Sequence, residues 1–256
     1  MARKIVITSG KGGVGKTTLT ARLGMALARR GIRVALVDLD LGLNNLDVAF
    51  GVENRVVFDL SDVIEGRCRI KQAFVQPYEI PTLYLLPSSH APLEITQQNV
   101  RLLVQKMEPL FDYILFDCPA GIETGFHRAV ACAEEAIVVC TPNLSSIRDA
   151  NKVLGLLETY DLHSVRIVVN RMRGDLVKSG EMMDAFQIFG LLQCEPLGIL
   201  PEWSCMPSDL SAKGSKEQEE AFDLVAGNLH DGTCYLYDYL YRYRSLWERW
   251  KARRAK

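Results

Sequence analysis

The sequence predicts an α/β fold, a mostly parallel sheet with helices on both faces, followed by a C-terminal amphipathic helix. Three features predict it: short apolar runs recurring along 256 residues, helical patterns between them, and a glycine-rich loop directly after the first run. Ile5 to Ile7 is that first run, and it reads as a buried strand. Thr17 to Arg30 follows as a helix closed by Gly31, a residue that tolerates the left-handed conformation of a helix end. Val34 to Leu39 and Leu83 to Leu86 are the second and third strands, and Ile95 to Met107 is a helix stopped ahead of Pro109. Tyr113 to Phe116 and Ala136 to Cys140 come next as strands, then the helix Ile147 to Tyr160, then the strands Val165 to Val169 and Leu197 to Leu200. Their apolar residues face both ways, which suits a sheet covered on both sides and joined by right-handed crossovers.

Composition sets outer limits. With 48% hydrophobic and 24% charged residues the chain has the balance of a globular protein rather than a disordered or fibrous one. Seven cysteines, odd in number and without a Cys-x-x-Cys pair, indicate neither a disulfide framework nor a zinc knuckle and suit a reducing cytoplasm. No apolar run is long enough to span a bilayer, and Met-Ala-Arg-Lys leads straight into the first strand without a signal sequence. The formal charge of −1 argues against a partner chosen by bulk electrostatics, but it conceals a split. Residues 242–256 carry about +6, so the remainder carries about −7.

The loop Gly10-Lys11-Gly12-Gly13-Val14-Gly15-Lys16-Thr17, continued by Thr18, contains G-x-x-x-x-G-K-[ST] between a strand and a helix. Glycines let consecutive backbone N–H groups curl around phosphates, and the helix N-terminus adds its positive end. Lys16 reaches the β- and γ-phosphates of ATP, and the Thr17 hydroxyl ligates Mg²⁺. Val37-Asp38-Leu39-Asp40 and Ile114-Leu115-Phe116-Asp117 put carboxylates at strand ends, where open α/β sheets bind ligands. Asp117 suits the magnesium shell, Asp38 a magnesium-bound water, and Asp40 orientation of the attacking water; either of the last two carboxylates would also suit a turn cap. No stronger base is in view, which points to slow hydrolysis resting on placement and charge neutralisation.

The second lysine of the loop, Lys11, is the point at which the chain resembles a known family, the deviant Walker A ATPases that include ParA- and MinD-type proteins. The resemblance implies a P-loop NTPase fold and a homodimer closed around ATP, with Lys11 acting on the partner's nucleotide; a solvated loop lysine is the plainer reading. Four stretches resemble the septum-positioning branch of the family: LGLNNLDVAFGVENRVVFDLSDVIEG (41–66), FDCPAGIE (116–123), SSIRDANKVLGLLE (145–158) and VVNRMRGDLVKSGEMM (168–183). By that resemblance Asn170 and Arg171 hold adenine, Pro201 and Glu202 border it, and Asn45 and Asp149 lie on a partner surface. It also implies a MinC-type division inhibitor and a MinE-type activator. Asn44 stands where the family carries arginine, which removes a charge from the activator's surface. After Pro201-Glu202 the chain has Trp203 in place of an acidic residue, then a compressed segment to Gly214, so the wall beside the base differs. Other branches give the rival functions: a DNA-partitioning ATPase, or a flagellar-number regulator, whose members usually carry an extension before the phosphate loop. Electron transfer through a cluster on Cys118 and Cys132 would need glycine-rich surroundings that this sequence lacks.

A boundary is expected in Gly227 to Thr233, dividing an ATPase domain of residues 1–230 from a linker and basic amphipathic helix at 231–256. At 100° per residue Leu236, Leu240, Tyr243, Trp247 and Trp250 fall in an arc of roughly 80° flanked by basic residues. Three readings stand: an interfacial membrane anchor, a last core helix, or a nucleic-acid binder. As an anchor, with Leu240, Tyr243, Trp247 and Trp250 in the lipid, it would hold a cytoplasmic dimer on the cytoplasmic face of the inner membrane. One copy of so short a helix would bind weakly, and two would bind together.

Overall fold

The computed structural model describes residues 1–41, 45–77, 79–88, 95–203, 210 and 214–243. Seven parallel strands form one sheet: β1 (Arg3–Thr8), β2 (Val34–Asp38), β3 (Leu83–Leu86), β4 (Tyr113–Asp117), β5 (Glu135–Cys140), β6 (Ser164–Met172) and β7 (Glu195–Pro201), in the order β3-β2-β4-β1-β5-β6-β7. The seven expected runs all lie within these strands or overrun an end by one residue. The helices are α1 (Lys16–Arg29), α2 (Asn45–Ala49), α3 (Leu60–Ile64), α4 (Ile70–Ala73), α5 (Gln97–Met107), α6 (Thr124–Val130), α7 (Leu144–Leu157), α8 (Gly174–Ser179), α9 (Ala185–Leu192) and α10 (Lys216–Asp231).

Strand order explains which face each helix covers. From β1 the chain moves to β2 toward one edge, whereas β4 to β5, β5 to β6 and β6 to β7 run toward the other. Right-handed crossovers then place α1 opposite α6, α7 and α9. Alternation along the strands divides the core to match. Val6, Val138 and Val169 pack with Phe126 of α6, Val153 of α7 and Ile188 of α9. Ile5, Ile7 and Val168 pack with Leu23 of α1 and Phe222 of α10.

The two ends of the sheet do different work. At the N-terminal end Arg3 forks onto Glu135 with two 2.7 Å bonds and donates a third, also 2.7 Å, to Leu229 O, tying β1, β5 and α10 together. At the C-terminal end, Asp38 and Asp117 are paired neighbours on β2 and β4, and β1 opens into the phosphate loop. Structural charge sits at one end and the candidate site at the other.

The tail begins differently from expectation. Gly227 and Asn228 lie buried inside α10, which runs to Asp231 and closes on Gly232 at φ 68°. Residues 233–240 are not helical, and among the described residues of the tail only Tyr241–Tyr243 makes a single 3-10 turn. This segment crosses the body as a strap. Asn228 grips it, donating to Tyr235 O at 2.9 Å and accepting from Tyr235 N at 2.8 Å. Tyr239 is 7% exposed and donates its hydroxyl to Asp184 Oδ2 at 2.6 Å. A Cβ on Gly174 would lie 2.6 Å from Tyr239 O and 2.5 Å from the Tyr243 ring, so only glycine lets the strap pass. Leu236 and Leu240 are half-buried and pack against the core, so the first two members of the stripe expected from Leu236 face the body. The physical reason is competition. The non-helical course buries Tyr239 and packs Leu236 and Leu240 against the body, contacts that outweigh the weak intrinsic stability of so short a helix. Trp247 and Trp250 lie outside the described residues.

Candidate active site

Backbone geometry comes first. Between β1 and α1 the loop uses positive φ at Gly13 (75°) and Gly15 (100°), conformations that strain any other residue. A Cβ on Gly10 would sit 2.4 Å from the Asp149 carbonyl oxygen of α7, and one on Gly15 would sit 2.4 Å from Asn170 Nδ2. These two glycines are therefore required by close approach as well as by loop curvature. Helices α3, α5, α7, α9 and α10 are capped by the side chains of Asp59, Thr96, Asn143, Asp184 and Ser215. Helix α1 begins at Gly15 with no side-chain cap, leaving its first-turn amides for an anion.

Charged groups converge on that helix end. Lys16 is buried and donates from Nζ to Ser9 Oγ at 3.1 Å; Ser9 in turn donates to Lys11 O at 2.7 Å. Asp117 is buried at the end of β4 and accepts from Thr20 Oγ1 at 3.1 Å through Oδ1. Its Oδ2 is buried with no hydrogen-bond partner among the described residues. Burial pushes the Asp117 carboxyl up to about 6, against the opposing pull of Thr17, Lys16 and Thr20. A buried carboxylate oxygen without a partner beside Thr17 is a donor set that suits a hard divalent cation, and Mg²⁺ fits Thr17 and Asp117.

The other carboxylates divide their roles. Asp38 accepts the amide of Asp40 at 3.0 Å and that of Leu46 at 3.2 Å, one on each oxygen. It staples together the segment that carries Asp40 and the start of α2. Asp40 is half-buried; burial raises its carboxyl from the usual range while Lys16 draws it down. Asn45 begins α2, and Asn44 lies outside the described residues. Lys11 is exposed at the loop surface, where Nζ donates to Ser145 Oγ at 3.1 Å. Asp149, on the same helix α7, pairs with Lys152 at 3.5 Å.

The residues expected around the base do come together. A cavity of about 200 Å³ beside the loop is lined by Gly15, Thr18, Asn170, Arg171, Pro201 and Glu202, together with Leu19, Leu200, Trp203 and Phe222. Asn170 Nδ2 donates to Val14 O at 2.8 Å and Arg171 to Gly13 O at 2.8 Å, so both also hold the loop. Arg171 does so at φ 61°, a conformation that costs a non-glycine residue about 1–2 kcal/mol. Glu202 leans outward to Arg173 at 3.6 Å. Sequence reasoning missed Ser9, Thr20 and Phe222. Thr20 was within reach, since it follows Lys16 by four residues on one helix face. Phe222 lies far along the chain on α10 and left no local signal.

Cys118 and Cys132 are buried, and burial pushes their thiols up to about 12 and about 11. Neutral thiols packed in the core do not suit a surface cluster. Among the described residues no helix is long and apolar enough to cross a membrane.

Residues 5–204 match the CobQ/CobB/MinD/ParA nucleotide binding domain. The septum site-determining protein MinD of Bacillus subtilis is 48% identical over 206 residues, covering 79% of this chain and 77% of that protein. MinD in the MinC:MinD cell division complex of Aquifex aeolicus superposes with a TM-score of 0.86 at 40% identity, covering 93% of this chain and 99% of that one. MinD of Pyrococcus horikoshii, solved with Mg-ADP, superposes with a TM-score of 0.80 at 29% identity, covering 90% and 96%. With this identity and coverage, the chain belongs to the MinD branch of the CobQ/CobB/MinD/ParA family of P-loop ATPases.

Proposed function

We propose that the chain is an ATP-operated switch that positions the division septum: ATP closes a homodimer, the dimer attaches to anionic membrane through residues 244–256, and a MinC-type division inhibitor is recruited. The observation that carries the nucleotide chemistry is the orphaned Asp117 Oδ2 beside Lys16 and an uncapped helix. Thr17 and Asp117 hold Mg²⁺, with Asp38 placed for a magnesium-bound water through its second lone pairs. Bound there, the ion would supply neutralisation of phosphate charge during transfer of the terminal phosphoryl group to water. Lys16 binds the β- and γ-phosphates from the buried side. Asp40 orients the attacking water, and its raised affinity for protons lets it share the water's proton. Among the described residues nothing in the site is a stronger base, so turnover is slow until a partner or a membrane tightens it.

Lys11 supplies the missing charge from the other subunit. Its exposure beside Ser145 leaves it free to reach across an interface, and Asp149 and Asn45 border the surface that closure would create. Recruitment of a MinC-type inhibitor is supported by the likeness to MinD of the Aquifex complex; a MinE-type activator is the partner on which Asn44 bears. The relatives at 48% and 40% identity favour this reading over DNA partitioning or flagellar-number control.

Lys11→Ala separates the steps. The variant is expected to bind Mg-ATP as the unmodified chain does, to remain monomeric in sedimentation velocity, and to lose hydrolysis by about 10²-fold or more, the scale of one lost transition-state charge. A Lys11→Ala protein that still dimerises and hydrolyses at the original rate contradicts action in trans.

A further inference from the structure

Helix α9 is apolar on its outer side as well as its inner one. Its eight residues, AFQIFGLL, include no charge. Ala185, Ile188, Phe189 and Leu192 enter the core, whereas Phe186, Gln187, Gly190 and Leu191 face outward. Phe186 is 63% exposed and Leu191 60%, and a Cβ on Gly190 would meet nothing within 4 Å, so the body leaves this side open. The longer helices carry charge on their exposed sides, with Arg29 on α1, Lys106 on α5, Lys152 on α7 and Glu220 on α10. A helix at a water surface ordinarily has such a polar outer face.

The neighbouring chain indicates what covers it. The strap is fastened to the start of α9, where Tyr239 donates to the Asp184 cap at 2.6 Å and accepts from Ala185 N at 3.3 Å. Four residues on, Tyr243 lies against Gly174 of α8, and its carbonyl accepts from Lys178. Four residues span at most about 14 Å, so residues 244–256 leave the body within that distance of the strap's hold on α9. That segment has six basic residues, one acid, and both Trp247 and Trp250. Basic charge beside an uncharged apolar face is the composition of an interfacial lipid contact, in which charge attracts the anionic surface and apolar side chains enter it. A protein partner that fits the apolar face alone leaves the adjacent basic charge without a role.

We infer that the outer face of α9 is a second lipid contact, through which Phe186 and Leu191 enter the interfacial layer of an anionic bilayer beside the attached tail. This rests on the membrane reading of residues 244–256 and extends it from the tail to the folded body. Two side chains are too little area to hold the chain by themselves, so the tail remains necessary. Their burial adds to each weak anchor.

The test titrates the full chain in Mg-ATP with vesicles of phosphatidylglycerol and phosphatidylcholine, reading the pelleted fraction. Phe186→Gln with Leu191→Gln, which keeps a helix-compatible outer face, is expected to weaken vesicle binding by about tenfold or more. Phe186→Trp, a ring suited to the membrane interface, is expected to bind as tightly as the parent or more tightly. Leu102→Gln on α5, which removes a side chain 49% exposed away from the strap, is expected to stay within about twofold of the parent. Sedimentation velocity without vesicles is expected to give the parent and the double variant the same ATP-dependent association. A double variant that pellets like its parent overturns the inference and leaves the membrane reading of the tail standing. An equal loss in Leu102→Gln overturns it too, because any exposed apolar side chain would then do. Loss of ATP-dependent association in the double variant also overturns it, since the α9 face would then belong to a second copy. If the parent does not pellet in Mg-ATP, the membrane reading fails, and this inference with it.

Discussion

A chain ending at Gly232 unfolds at lower urea concentration than the full protein, by an amount worth about 3–5 kcal/mol, whereas a chain ending at Tyr243 keeps the full stability. The difference lies in the strap. Removing it uncovers the pocket of Tyr239 and breaks the hydroxyl bond to Asp184, which caps α9. It also strips Asn228 of both Tyr235 contacts and of the Thr233 hydroxyl that donates to its Oδ1 at 2.9 Å. Burial of one tyrosine and two aliphatic side chains is worth several kcal/mol, partly offset because water reaches the exposed groups. The ion pair of Arg242 with Glu217 and the donation from Lys178 to Tyr243 O are more exposed and add little. Equal midpoints for all three chains would mean that the strap is no part of the folded body.

Asp117→Asn gains stability relative to its parent as pH rises and removes activity, and the two effects separate by pH. The Asp117 carboxyl is raised from 3.8 to about 6 in the folded chain by burial. A carboxyl raised on folding is a destabilising charge: its cost is absent below its unfolded value and fully present above its folded one. Without magnesium, the variant should therefore gain on its parent as pH climbs from 4 to 7, by up to about 3 kcal/mol for a displacement of that size. An asparagine amide at the Oδ2 position would find no partner either, a cost that does not vary with pH, so the slope is the measurement rather than the offset. Hydrolysis with Mg-ATP is expected to fall by about 10²-fold or more. Paired urea titrations at pH 4.5 and pH 7.5 check the first statement, and a constant difference between variant and parent contradicts it.

Much of this was legible in the residues. Seven apolar runs located seven strands because buried parallel strands carry no competing pattern. The phosphate loop was legible because its glycines, lysine and threonine have fixed local spacing; Asp38, Asp40 and Asp117 were legible because they end strands. The rest depends on contacts distant in sequence. Asn228 clamps Tyr235 only because α10 ends where the strap turns back, and Phe222 meets Trp203 across a folded wall. The start of the tail depends on packing for a related reason. A stripe at helical spacing from Leu236 satisfies an amphipathic helix and an extended strap equally, and packing on the body decided the first half of it. Residues 244–256 carry six of the seven basic residues of 242–256 and both Trp247 and Trp250. The near-neutral total thus separates into an acidic body that the strap completes and a short basic end.

Co-sedimentation with anionic phospholipid vesicles, comparing the full chain with one ending at Tyr243 in Mg-ATP and in Mg-ADP, tests the switch most directly. Two weak anchors presented by an ATP-closed dimer should pellet, and one should not. The full chain is expected to pellet with ATP and to remain in solution with ADP, and the chain ending at Tyr243 to remain in solution with both. Equal pelleting of the full chain with ATP and ADP, or pelleting of the chain ending at Tyr243, would contradict it.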